Sequence, residues 1–296
     1  MAHATRRHRA TRTMILILMV AAATQYAPAQ DESGTFEQAM TTQRCWRIEA
    51  QPLVWFASLS GESTFKGSAA TLMDVDSLLG LDDSEPSFLG SALLTYDTDD
   101  HGRWLMWLEG FDFSTESSGA IAQDFGVLDS AVSAGTVVHN DFGLSNIGLK
   151  AGWDPFGNVL HDDDYELRFA LLAGTRMIGL DQRLEAEGGP TVSYDGSSLG
   201  LEGGVRVRIA RSEDYTTAGH WSVDLALTLG AGGGSDATVS YFDIWAGAEY
   251  LVTDNMGLRI GYRQLDVNLE DDSATGGPYE FDGRLAGLYV GGTITF

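Results

Sequence analysis

Residues 222–229 read Ser-Val-Asp-Leu-Ala-Leu-Thr-Leu. Val223, Leu225, Leu227 and Leu229 take every second place, and small or polar residues take the places between. A period of two is the signature of a β-strand whose two faces meet different surroundings. The preceding segment, 202–209, repeats the pattern with Val205, Val207 and Ile209 against Arg206 and Arg208. Residues 166–171 (Glu-Leu-Arg-Phe-Ala-Leu) and 146–153 (Asn-Ile-Gly-Leu-Lys-Ala-Gly-Trp) do the same. Outward from these, alternation predicts ten strands, at 46–59, 88–96, 103–114, 141–153, 165–178, 198–210, 220–230, 238–251, 256–267 and 284–296. Most reach the ~10 residues that cross a bilayer as a tilted strand.

The connections alternate in length. Those at 60–87, 115–140, 179–197, 231–237 and 268–283 are mostly long, and those at 97–102, 154–164, 211–219 and 252–255 mostly shorter. Turns at one end and loops at the other fit an all-β, closed antiparallel transmembrane barrel, with ten strands and eight or twelve as alternatives. Closure is a physical requirement, because an open sheet edge in lipid leaves backbone N–H and C=O groups unpaired.

The two faces separate by chemistry. Ile147, Leu149, Leu167, Phe169, Leu171, Val205, Val207, Ile209, Val223, Leu225, Leu227 and Leu258 share one face and would meet lipid. The other carries the acids Glu49, Glu109, Glu166, Glu202, Asp224, Asp243 and Glu249. Beside them stand the bases Arg47, Lys150, Arg168, Arg176, Arg206, Arg208, Arg259 and Arg263. A soluble β-sandwich, the competing reading, would turn its charges to water and its aliphatics inward. Trp46, Trp104, Trp153, Trp221 and Tyr250 gather at the turn ends, as an interfacial aromatic girdle does, and Tyr262 and Phe296 are further candidates.

The first residues read as an address. Arg6, Arg7, Arg9 and Arg12 precede the apolar run Met14–Ala23, and Ala27-Pro28-Ala29 offers small residues for cleavage. This order predicts a secretory signal peptide over 1–29, because ten apolar residues are too few for a membrane helix. Residues 30–45 then form a polar periplasmic lead-in and 46–296 the outer-membrane barrel. Of the 296 residues, 44% are hydrophobic and 20% charged, enough apolar material for a sizeable core. Removing 1–29 takes away four arginines and no acid, so 14 bases face 42 acids, a net −28. That balance repels phosphates and argues against nucleic-acid binding. The single Cys45 excludes an intrachain disulfide.

Residues 287–296, Gly-Leu-Tyr-Val-Gly-Gly-Thr-Ile-Thr-Phe, resemble the C-terminal sorting signal of bacterial outer-membrane barrels. Gly261-Tyr262-Arg263 with Leu265-Asp266-Val267 is similar to the penultimate strand of small OmpA/OmpW-like barrels. Trp55, Leu59-Ser60-Gly61 and the Asp74–Leu79 run resemble a set of uncharacterised porin-like outer-membrane proteins. The resemblance implies a barrel in the outer membrane of a Gram-negative envelope, with Phe296 as assembly signal. It implies no single activity, since such barrels serve as adhesins, pores, anchors and enzymes.

No constellation compels chemistry. His101, His161 and His220 fall in turns. His139 lies at the extracellular rim with Asp141 on the same face, and Ser133 or Asp129 in reach from the loop, but nothing fixes a relay. Asp82-Asp83-Ser84-Glu85 and Asp271-Asp272 are the candidate sites for divalent cations, without the spacing of an EF-hand. Gly203-Gly204 and Gly232–Gly234 lack a following Lys-Ser/Thr and are not phosphate loops.

The expectation is therefore a non-catalytic barrel with no cofactor and a structural or surface-interaction role. Its lumen would be filled by Arg168, Arg206, Arg208, Arg259, Arg263, Glu109, Glu166, Glu202, Asp224 and Glu249. Its partners would be outer-membrane lipid and lipopolysaccharide, the barrel-assembly machinery, and divalent cations at the acidic loops. The alternative is a narrow porin for small polar solutes; an outer-membrane hydrolase comes third.

Overall fold

The computed structural model describes residues 46–81, 84–98, 102–156, 165–211, 218–234, 237–272, 274 and 277–296. The expected signal peptide 1–29, the expected lead-in 30–45 with Cys45, the Asp82-Asp83 pair, His101, and His161 with its acidic turn lie outside them. Among the described residues thirteen strands follow one another: β1 (Trp46–Phe65), β2 (Met73–Asp74), β3 (Glu85–Thr98), β4 (Gly102–Ala120), β5 (Phe125–Val127), β6 (Ser130–Val132), β7 (Val137–Asp154), β8 (Tyr165–Ala186), β9 (Thr191–Arg211), β10 (Trp221–Gly233), β11 (Ala237–Leu251), β12 (Met256–Asp271) and β13 (Tyr279–Thr295). Ten of them pair antiparallel in the order β1-β3-β4-β7-β8-β9-β10-β11-β12-β13, and β13 returns to β1. The sheet therefore has no edge in the membrane.

The register sets the barrel's shape. From Glu49 the ladder runs through Leu93, Trp107, Lys150, Gly174, Glu202, Gly230, Tyr241, Val267 and Gly283, and re-enters β1 at Gly61, twelve residues beyond its start. That stagger over ten strands corresponds to a strand tilt of about 40°. The parity is preserved round the circle, so every strand keeps one face in and one face out.

The outer face carries a continuous apolar belt. It comprises Trp46–Phe56 of β1, Leu199–Ile209 of β9 and Ala286–Phe296 at the chain's end, read on alternate residues. Val54, Phe56, Ile147, Leu149, Leu171, Leu201, Val223, Leu225, Leu258, Ile260 and Leu288 are all exposed there. Eleven residues per strand match a tilted crossing of the hydrocarbon. At the turn end Trp46 packs on Tyr96 with ring centroids 4.3 Å apart, Trp104 on Trp153 at 5.9 Å, and Tyr165 on Trp221 at 6.0 Å. This is the girdle expected of a membrane–water interface.

Above the belt the strands continue, and the chemistry of the two faces exchanges. In β8 the outward residues change from Leu167, Phe169 and Leu171 to Asp181, Arg183 and Glu185. The inward ones change from Glu166, Arg168 and Arg176 to Ile178, Leu180 and Leu184. The strand is one; only its surroundings switch from lipid outside to water outside. Its 22 residues rise roughly 55 Å at this tilt, about twice the ~25 Å of an apolar band.

The loops are consequently shorter than the sequence suggests. The connection predicted at 179–197 is a turn over 187–190, because β8 runs to Ala186 and β9 starts at Thr191. The loops at 60–87, 115–140, 231–237 and 268–283 likewise contract to 66–84, 121–136, 234–236 and 272–278. What remains of the two largest folds inward as a lid. Leu128, at φ 52°, donates its amide to Phe65 and accepts from Ala69, and Thr71 Oγ1 accepts from the Gly126 amide. A bulky residue at positive φ is strained, and here both its backbone groups are held. Val75, Leu79, Leu81, Ile121, Phe125, Val127 and Val132 bury their side chains beneath.

Candidate functional site

The interior is built in layers. The central layer is an ionic knot of three cations and three carboxylates. Glu109 Oε1 accepts from Lys150 Nζ at 3.0 Å, Arg176 Nη2 at 2.9 Å and Arg263 Nη2 at 3.1 Å. Asp243 Oδ2 accepts from Arg176 and Arg263, each at 2.7 Å. Glu202 Oε2 accepts from Arg176 Nε at 3.0 Å. Trp107 lies 4.4 Å from Lys150 Nζ, and Trp245 lies 4.8 Å from the Arg263 guanidinium. Rings around cations add attraction where water is excluded.

The layer toward the periplasm is looser. Arg259 grips Asp224 bidentately at 2.6 and 2.9 Å and reaches Glu249 at 3.4 Å. Arg208 reaches Glu49 at 3.3 Å, and Arg47 reaches the same carboxylate at 2.9 Å. At the mouth Arg168 pairs with Glu166 and, at 3.6 Å, with Asp154, while Arg103 pairs with Asp97 at 2.6 Å.

All ten residues singled out for the lumen thus stand on the inner face. Arg263, Glu109 and Glu202 join the central knot; Arg206, Arg208, Arg259, Asp224 and Glu249 form the lower layer; Arg168 and Glu166 line the mouth. Lys150, Arg176 and Asp243, placed inward by alternation but left out of that set, complete the knot. Arg103 and Asp154 escaped sequence reasoning, although each continues the inward parity of its strand.

Toward the outside the interior turns apolar. Phe65, Phe113, Phe142, Leu144, Ile178, Leu180, Leu265, Val267, Leu269, Tyr279, Phe281 and Leu285 are each at most 1% exposed. Phe142 meets Phe281 at 5.3 Å, and Tyr279 stacks on Tyr194 at 4.2 Å. The Tyr279 hydroxyl donates to Gln182 Oε1 at 2.6 Å, giving that buried polar atom its partner. Above this plug lies the lid. Side chains of this layer, and of the lid above it, lie between the knot and the extracellular side.

The candidate catalytic group does not assemble. His139 and Asp141 point outward from β7. Asp129 is engaged elsewhere, accepting the Ser68 amide at 2.9 Å and the Ser68 hydroxyl at 2.8 Å. The amide donation, then the hydroxyl, hold its carboxyl below the usual 3.8. Asp271 accepts from the Tyr194 hydroxyl at 3.3 Å. Among the described residues no three His, Cys, Asp or Glu side chains are arranged to hold a metal ion.

Ladder closure, an apolar belt with an aromatic girdle and a charged interior define an outer-membrane β-barrel protein. No protein-family model and no curated protein matches the chain. Among solved structures, the outer membrane protease OmpT of Escherichia coli is 10% identical with a TM-score of 0.42, covering 84% of this chain and 97% of that one. The translocator domain of the autotransporter NalP from Neisseria meningitidis is 11% identical with a TM-score of 0.32, covering 99% and 97%. Ail of Yersinia pestis is 8% identical with a TM-score of 0.28, covering 84% and 99%. The assignment rests on the barrel's own geometry.

Proposed function

We propose that this barrel is closed to solutes and acts at the cell surface through its polar, strand-built head, without catalysis. The observation that supports it is the apolar plug: a stack of fully buried aromatic and aliphatic side chains above the ionic knot. A hydrated ion entering that layer would exchange its water for a lining that is mostly apolar, with few polar groups such as Gln182 and Asn140. The head's outer wall is rich in acid, with Glu62, Glu116, Asp141, Asp181, Glu185, Asp195, Asp266, Glu270, Glu280 and Asp282 against Lys66, Arg183 and Arg284. Solvated like charges of this kind keep a surface soluble and repel non-specific partners. Lipopolysaccharide is the natural neighbour just above the belt, with divalent cations bridging its phosphates to these carboxylates. In character it is a small envelope barrel of the OmpA/OmpW-like kind, delivered by a signal peptide and the barrel-assembly machinery.

The alternative, diffusion of small polar solutes, draws on the charged lower lumen. Swelling of liposomes loaded with the folded protein separates the two. The closed reading expects the swelling rate in small sugars to equal that of protein-free liposomes. Swelling that scales with protein content would establish the pore.

A further inference from the structure

The lower lumen holds a cation whose carboxylate is shared. Arg206 is 7% exposed, and among the described residues its ion pair is a long one, to Asp224 at 3.9 Å. Asp224 is already taken by the bidentate grip of Arg259. Arg206 Nε makes no hydrogen bond, and one face of the guanidinium lies 5.3 Å from the Trp107 ring. In the central knot, by contrast, each arginine contacts two or more carboxylates. A buried charge with only a distant, shared counter-ion is poorly compensated.

Arg206 also borders a cavity of about 30 Å³. Arg103, Arg168, Arg208 and Asp154 share its wall, giving four cations and one carboxylate, with Ala170 among the apolar lining. Arg103 and Arg168 hold their own acids at the mouth and Arg208 reaches Glu49, so Arg206 is the lining cation whose closest ion pair is longest. The volume admits about two water-sized bodies. Arg168, whose side chain is 22% exposed, marks the way in from the periplasm.

We propose that this cavity is a binding site for a small inorganic anion of the halide class, held by Arg206 and entered from the periplasmic mouth. Water would fill the space without adding charge; a halide fills it and supplements the shared carboxylate.

The test is ³⁵Cl NMR of the folded protein in non-ionic detergent, with chloride as the probe. Exchange with a protein site broadens the chloride line beyond that of detergent alone. The excess broadening is expected in the native protein, retained in Arg206→Lys and lost in Arg206→Gln. Ala170→Leu fills the cavity without touching a charge and is also expected to abolish it, so the proposal stays testable if Arg206→Gln does not fold. Absence of excess broadening in the native protein, or its persistence in both Arg206→Gln and Ala170→Leu, overturns the site.

Discussion

Lys150 Nζ and Glu109 Oε1 lie 3.0 Å apart at the centre of the barrel, on neighbouring strands, and both are almost fully buried. The same oxygen accepts from Arg176 and Arg263, which arrive from β8 and β12. The knot thus ties together strands from across the barrel, and its net charge is zero. Removing one carboxylate leaves three cations facing two acids. Glu109→Gln is expected to destabilise the barrel by about 3–5 kcal/mol. Urea unfolding in detergent, followed by gel mobility, measures it. Adding Lys150→Met restores neutrality and should recover part of the loss; a double variant weaker than the single one would contradict the pairing.

The belt makes a depth-dependent prediction. Leu225 points outward near mid-belt on β10, and Ser240 points outward above it on β11. Leu225→Arg should cost about 2–4 kcal/mol, the penalty for a cation on the lipid face at the midplane. Ser240→Arg should stay within about 0.5 kcal/mol, as for an ordinary surface change. Equal costs in an unfolding series would place the membrane elsewhere.

Phe296 closes the seam. Its amide donates to the Ile48 carbonyl at 2.9 Å, and its carbonyl accepts from Ile48 at 3.4 Å. Deleting Phe296 removes that last exchange between the chain's end and β1, as well as the terminal aromatic. Assembly into the outer membrane is expected to slow, read as the folded, heat-shifted fraction over time. An unchanged rate would remove its role as assembly signal.

Acid should loosen the lid at one point. Asp129 has its carboxyl lowered by the Ser68 donations, so this contribution is complete above pH about 3.8 and is lost as pH falls through the lower folded value. The Ser68 amide is expected to keep its hydrogen-exchange protection at pH 5 and lose it in stronger acid. Asp129→Ala should lose it at both. Protection that ignores this substitution would show the loop to be held by its backbone bonds alone.

Much of the barrel was legible because Leu167, Phe169 and Leu171 alternate with Glu166 and Arg168, and lipid outside demands that order. The upper strands were not. Residues 178–186 alternate just as well, but with Leu180 and Leu184 inward and Asp181 and Arg183 outward. A reading keyed to an apolar outer face takes such a stretch for loop. The inward set followed from parity alone, yet the partners did not. That Glu109 meets Arg263, 154 residues away, depends on the stagger of the whole ladder. Asp129 was a candidate relay member until its tie to Ser68, 61 residues distant, showed it to be a lid fastening.

The plug is the central claim, and conductance tests it most directly. Folded protein reconstituted in a planar lipid bilayer, its folding verified by gel mobility, is predicted to carry no steady ion current. A sustained current from the native protein would contradict the sealed interior and establish an open lumen.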